Sequence, residues 1–196
     1  AEGAGLDAVS LGEIHLGLRA GFAPEEILFT PNGVGMGEIR EAVEIGVHIN
    51  IDNLETLEEF ANEFGNSIPI CVRINPHIMA GGNAKISVGH IDSKFGISIH
   101  QMRHLHRIVD HMGLHVHGLH MHTGSDIIDI ASFMRGANLL LEVAHDFKEL
   151  TYIDFGSGFK IGYKPQERTT DIEAFGTTMS ARFKEFCLEY GRDLQL

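Results

Sequence analysis

Along the chain, short strand-like apolar runs alternate with stretches in which apolar residues return every three or four positions. The runs are Leu6–Ser10, Ile27–Thr30, Val47–Ile51, Ile68–Ile74, Val116–His122 and Tyr152–Phe155. Their length and their Val and Ile content predict strands. Between them, Ile14 and Leu18 share one helical face, and Gly21 ends that helix. Met36, Ile39, Ala42 and Val43 mark a second helix, and Leu54, Leu57, Phe60, Ala61 and Phe64 a third. Ile99, Met102, Leu105, Ile108, Val109 and Met112 mark a fourth. Phe133, Ala137, Leu140, Leu141 and Ala144 mark a fifth, and Ile172, Phe175, Met179, Phe183 and Tyr190 a sixth. The pattern is a strand followed by a helix, six times over, with early units recurring about every 20 residues. Between Asn75 and Gly96 it lapses into a long loop holding Gly81, Gly82 and Gly89.

Strict alternation predicts an all-parallel sheet with helices outside. The nearly continuous apolar run from Ile68 to Ile74 fits a strand buried on both faces. An open doubly wound sheet and a (β/α)8 TIM barrel both satisfy the pattern. Polar residues recur at the C-terminal ends of the strands: Asp7 and Ser10, Thr30 and Asn32, Asp52, Arg73 and Asn75, His122 and Ser125, Asp154. A barrel brings all of these to one mouth, whereas an open sheet spreads them along an edge, so the barrel is the expectation. Six strands do not close an eight-stranded barrel. The expectation is a single barrel domain over 1–196 that carries strands two to seven, with one strand before residue 1 and one after Leu196. Both ends read as a piece of a longer protein: Ala1-Glu2-Gly3-Ala4-Gly5 lacks a starting Met, and Asp193-Leu194-Gln195-Leu196 reads as the start of another strand.

Composition narrows the function. Hydrophobic residues make up 43% of the chain, enough for a sizeable core. Fifteen basic against twenty-seven acidic side chains give a net charge of -12, which argues against nucleic-acid binding. No apolar run is long enough to span a membrane. Cys71 and Cys187 each sit in an apolar run and predict buried thiols in a reducing cytoplasm.

Two stretches carry candidate chemistry. Gly156-Ser157-Gly158 follows an apolar strand and has no large side chain, so a ligand can approach its backbone. Successive N–H groups in such a turn form an anion nest, although a plain strand-to-helix turn has the same composition. His122 ends a strand and is followed by Thr123-Gly124-Ser125. Its ring could stack on a planar cofactor, ligate a metal or act as a base, or simply be a satisfied core histidine. His111, His115, His117, His120 and His122 lie close together, and a His-x-His pair on a strand is a metal-ligand arrangement in some hydrolase barrels. Such sites also need later histidines, and only His145 follows, inside a helical pattern; no metal is expected. Ser10 and Glu13 fit a capping box. Asp7 has no such structural role, and Arg73, in an apolar strand, needs an anion. Lys94 falls in the long loop, as a surface charge or as a group over the mouth.

Val72-Arg73-Ile74-Asn75-Pro76, Ser93-Lys94-Phe95-Gly96, Gly118-Leu119-His120-Met121-His122-Thr123-Gly124-Ser125 and Ile153-Asp154-Phe155-Gly156-Ser157-Gly158 occur in this order. Jointly they resemble the fold-type III pyridoxal-phosphate decarboxylases, most closely those acting on diaminopimelate, over essentially the whole chain. The resemblance implies an alanine-racemase-like barrel followed by a β-rich domain, and pyridoxal phosphate as cofactor. It implies that His122 stacks on the pyridine ring, and that Ser125 with the backbone of Gly156, Ser157 and Gly158 holds the phosphate. Asp7, Glu13 and Arg73 would line the cofactor site. The lysine that anchors the cofactor would lie before residue 1, which agrees with the lysine inventory: no lysine precedes Lys85, and none ends a predicted strand. The glutamate that pairs with the pyridine nitrogen would lie beyond Leu196. The implied activity is decarboxylation of an amino acid, meso-diaminopimelate to L-lysine in lysine biosynthesis, by a cytoplasmic homodimer with a small-molecule amino-acid substrate. An arginine or ornithine decarboxylase and a non-catalytic cofactor-binding relative are the alternatives. The chain departs from the family pattern in three places: Ser157 stands where a third glycine is common, Asp126 where Gln is frequent, and the loop Asn32-Gly33-Val34-Gly35-Met36-Gly37 is richer in glycine than the pattern.

Overall fold

The computed structural model describes residues 3–78 and 95–196. Six parallel strands run in chain order: β1 (Leu6–Ala8), β2 (Ile27–Phe29), β3 (His48–Ile51), β4 (Ile70–Asn75), β6 (Val116–His120) and β7 (Tyr152–Asp154). A helix follows each: α1 (Leu11–Ala20), α2 (Met36–Ile45), α3 (Leu54–Phe64), α4 (Met102–Met112), α5 (Ile130–Ala144) and α6 (Ile172–Tyr190). No pairing joins β1 to β7 among the described residues, so the sheet is an open barrel. The strand read at the C-terminus begins to form: Gln195 bridges Tyr152 in parallel and bonds Thr151 and Ile153.

Two strand ends shift in ways that bear on the site, and one strand is added. The first strand stops at Ala8 because Ser10 caps α1, its Oγ accepting the Glu13 N–H at 3.3 Å. The fifth predicted strand stops at His120, which leaves His122 two residues beyond it on a loop. A two-residue strand, β5 (Ile97–Ser98), pairs in parallel with the end of β4. The periodicity there showed only the helix that follows, because two residues are too few to display a period. Gly96 makes this return possible: its φ is +81°, and a Cβ would sit 3.1 Å from the Asn75 nitrogen. Lys85 and Lys94 lie outside the described residues.

Alternate strand residues form two sets, as the two-residue period of a strand requires. Ala8, Phe29, Ile49, Ile51, Val72, Leu119 and Ile153 are buried in the apolar core. Their neighbours Asp7, Thr30, Asn50, Asp52, Arg73, His120 and Asp154 are polar and meet one another inside the open barrel. Deeper in, the Tyr152 ring crosses β6 so closely that a Cβ on Gly118 would lie 2.2 Å from Tyr152 Cζ. A register shift between Ile70 and Cys71 accompanies this, and His117 packs against His48 and Tyr152 at 5.0 and 5.2 Å between ring centroids.

Candidate cofactor site

The loops after β6 and β7 are neighbours because those strands pair, Leu119 beside Ile153 and His120 beside Asp154. Beyond the strands the two loops zip together. Ile127 N–H donates to the Gly158 carbonyl at 3.0 Å, and Lys160 N–H donates to the Ile127 carbonyl at 2.9 Å. Asp126 and Lys160 form an ion pair at 3.1 Å across the same seam. The result seats the glycine turn directly on the histidine loop. A Cβ on Gly156 would lie 2.4 Å from the Met121 oxygen and 3.1 Å from His122 Nδ1. A Cβ on Gly158 would lie 1.9 Å from the Gly124 oxygen and 3.2 Å from Ser125 Cα. Both glycines have positive φ, +68° and +103°. Only glycine meets both demands.

Histidine and turn therefore converge at one end of the sheet. His122 is half-buried, and its basicity is lowered by burial and then by the Arg73 charge. It stands as a neutral ring at neutral pH, suited to lie against a flat partner. Ser125 is half-buried, Ser157 exposed. The cradle fits a phosphate in two respects: its backbone carries no obstructing side chain, and Arg73 supplies a buried positive charge in the adjoining interior.

Below the turn lies a connected polar group. Arg73 is 7% exposed. Burial lowers its basicity, while Asp52, Asp7 and Asp154 support its charge in that order. Its guanidinium carbon also sits 5.2 Å from the centre of the Phe95 ring. Asp52 accepts from Asn32 Nδ2 at 2.7 Å and from Asn53 Nδ2 at 2.9 Å. Asp7 lies on the free edge of β1 and is exposed there, but burial of its carboxyl raises its pKa; Thr30 and Arg73 pull the other way. Asp154 is raised to about 6, first by burial, while the Gly156 N–H that it accepts at 2.7 Å lowers it and neighbouring Asp7 raises it.

Asn50 links the cluster: its Nδ2 donates to the Thr30 hydroxyl at 3.2 Å and lies 2.9 Å from His120 Nδ1. A His120 nitrogen and one oxygen each of Asp7 and Asp154 lie within 4.8 Å of one another, the one such group of possible metal ligands among the described residues. Arg73 already supplies a positive charge beside these carboxyls, which suits the cluster to sharing protons rather than to taking up a second cation.

Of the residues singled out from the sequence, His122, Ser125, Gly156, Ser157 and Gly158 come together in one place. Asp7 and Arg73 join them from the interior. Glu13 sits in the cap of α1, where its carboxylate accepts the Val9 N–H at 2.8 Å; it faces Asp7 closely enough to raise that carboxyl. Asn50, His120 and Asp154 were not singled out as cofactor residues. The signal that marks Asn50 and His120 is a pair of polar residues two positions apart at the ends of β3, β4 and β6, Asn50 and Asp52, Arg73 and Asn75, His120 and His122, while Asp154 shows only as the polar residue that closes β7.

The chain matches, over residues 1–196, the family model described as pyridoxal-dependent decarboxylase, pyridoxal binding domain. It is 36% identical over 195 residues to the diaminopimelate decarboxylase of Methanothermobacter thermautotrophicus, covering 97% of this chain and 46% of that protein. With the diaminopimelate decarboxylase of Bacillus subtilis the identity is 31% over 206 residues, covering 98% and 47%. The crystal structure of diaminopimelate decarboxylase from Helicobacter pylori, complexed with L-lysine, superposes with a TM-score of 0.81 at 26% identity, covering 90% of this chain and 47% of that one. The chain thus spans about half the length of the curated relatives it matches. Its open barrel is the alanine-racemase-like barrel of that group, with edges unclosed. The match from end to end, on a barrel whose glycine turn rests against a histidine loop, places this chain among the pyridoxal-dependent decarboxylases, as their pyridoxal-binding domain.

Proposed function

We propose that this domain binds pyridoxal 5'-phosphate and serves the decarboxylation of a diamino acid, with meso-diaminopimelate as substrate and L-lysine and CO2 as products. One observation carries the reading: the positive-φ turn Gly156–Gly158 is wedged against His122–Ser125, which puts an anion nest and a neutral flat ring side by side. The substrate assignment rests on the diaminopimelate decarboxylases that the chain is similar to.

Each residue's part follows from its place. The N–H groups of Ser157 and Gly158, together with the Ser125 hydroxyl, receive the phosphate. His122 would lie against the pyridine ring and keep water from it. Arg73 would supply positive charge to the bound cofactor from the interior, its own charge supported by Asp52, Asp7 and Asp154. Asp7 lines the wall beneath the ring. Glu13 acts at one remove, by pinning the β1–α1 corner that carries Asp7. The cofactor, when bound, supplies the electron sink that accepts the electron pair left by CO2. The six strands stand as strands two to seven of the eight-stranded barrel, and the intact enzyme works as a homodimer in the cytoplasm.

Binding is tested with pyridoxal phosphate against pyridoxal, followed by fluorescence titration. The expected result is affinity for the phosphate ester that drops at least tenfold for pyridoxal and for His122→Ala. Equal affinity for the two compounds, or none for either, would refute the phosphate cradle. CO2 release from meso-diaminopimelate, L-ornithine and L-arginine separates the substrates; release from ornithine or arginine alone would overturn the diaminopimelate assignment.

A further inference from the structure

We propose that Asp154 is a positioning residue of the phosphate turn: its carboxylate holds the Gly156 N–H, so that only Ser157 and Gly158 present N–H groups to the anion, and its charge sets how tightly the anion is held. This deepens the cofactor reading above and rests on it. The geometry is direct. Asp154 closes β7 and accepts the Gly156 N–H at 2.7 Å, two residues on. Gly156 is also held from the other side, against the Met121 carbonyl. A donor already committed to a carboxylate is not free for a phosphate. An anion nest read as three N–H groups is therefore two, and a negative carboxylate stands directly behind it.

That carboxylate does not stand alone. Asp7 faces it from β1, His120 from β6 and Arg73 from β4, while Glu13 acts on Asp7 and Asp52 on Arg73. Tyr152 and Cys71 lie deeper on the same side and are held neutral by burial. His120 is also kept neutral, by burial and by Arg73. Asp7 and Asp154 thus share one arginine with each other and with Asp52. Asp154 releases its proton at about pH 6. A phosphate dianion above the turn is repelled by the ionised carboxylate and not by the protonated one. Anion binding and proton uptake by the Asp7–Asp154 pair are thereby linked. For a dianion, one unit charge about 6 Å away at an effective dielectric near 40 is worth about a hundredfold in affinity.

The test uses backbone amide NMR on the protein with inorganic sulfate as probe, because sulfate stays a dianion over the range studied and its own titration does not intrude. At pH 7 sulfate should shift the Ser157 and Gly158 amides and leave the Gly156 amide in place. Without sulfate, the Gly156 amide should titrate with a midpoint near 6. Sulfate affinity should rise about twentyfold between pH 7.5 and 5.5. In Asp154→Asn, whose amide oxygen still accepts the Gly156 N–H, the Gly156 titration should vanish and the affinity should lose most of its pH dependence, keeping the part contributed by His122. Sulfate that moves the Gly156 amide as much as its neighbours, or a Gly156 amide without a step near pH 6 in the unaltered protein, would overturn the inference while leaving the cradle intact. Sulfate that moves none of the three amides would overturn the cradle itself, and this inference with it.

Discussion

Replacing Gly158 by Ala separates a structural turn from an ordinary glycine loop. The cost has two parts. A φ of +103° is a glycine region, and an L-residue there costs about 1–3 kcal/mol. The added Cβ would also lie 1.9 Å from the Gly124 carbonyl oxygen, so backbone must move. Overpacking of this kind costs about 1–3 kcal/mol. It is not easily relieved, because the Gly158 carbonyl is tied to Ile127 N–H, and Ile127 in turn to Lys160 N–H and the Thr170 hydroxyl. The expected total is about 3–5 kcal/mol, which in a domain of this size lowers Tm by roughly 6–20 °C. Two controls carry the same substitution. Gly191→Ala has a φ of +79° but open space, so it should cost about 1 kcal/mol. Gly176→Ala lies inside α6 with nothing nearby and should stabilise by about 1 kcal/mol. Urea unfolding followed by circular dichroism gives the order. If Gly158→Ala is no worse than Gly191→Ala, the two loops are not wedged together, and the cradle argument loses its footing.

Three further outcomes follow from the buried charges. Asp154→Asn should be more stable than the unaltered protein at pH 7, by up to about 3 kcal/mol, and no different below pH 4. The folded-state pKa is raised from 3.8 to about 6, so ionising the group destabilises the fold as pH climbs through that window; equal stability at pH 7 would remove the burial argument. His117 behaves with the opposite sign. Its pKa is lowered to about 4, chiefly by burial, so stability present at neutral pH is lost as pH falls from 6.5 toward 4. His117→Phe should flatten about 2 kcal/mol of that acid loss in urea titrations, and an unchanged slope would count against it. Arg73→Met should cost about 3–5 kcal/mol at pH 7 and less at pH 5, where the carboxyls it leaves behind can take up protons; a pH-independent loss would point to packing alone.

The strand and helix order was legible because each element is long enough to show its own period, and because helix ends carry caps such as Ser10, Asn53 and Gly21. The barrel mouth was legible for the same reason, since polar residues at the strand ends stand out against apolar runs. What the sequence did not display is which polar residues meet. Asn50 and His120 are 70 positions apart and touch only because β3, β4 and β6 are laid side by side in register. The strand β5 was invisible at two residues. Asp154 read as one more polar strand end; its bond to Gly156 depends on the φ of +68° that bends the chain back, which composition alone does not specify.

Two of the departures from the family pattern, at Ser157 and Asp126, acquire a physical account from the same geometry. Among the described residues, positive φ outside glycine occurs only at His77 and Asp126. Ser157 therefore has ordinary backbone geometry, and its side chain faces solvent. Of the three turn positions, the outer two need glycine and the middle one does not, so a serine can stand there without strain. Asp126 sits at a φ of +57°, where the short polar side chain of Asp is tolerated better than a longer one. Its carboxylate also reaches Lys160 on the partner loop. Both substitutions leave the seam between the two loops closed, and that seam fixes where the turn points its N–H groups. A sequence can change the residues on the rim of such a cradle as long as the two glycines pressed against the neighbouring backbone remain.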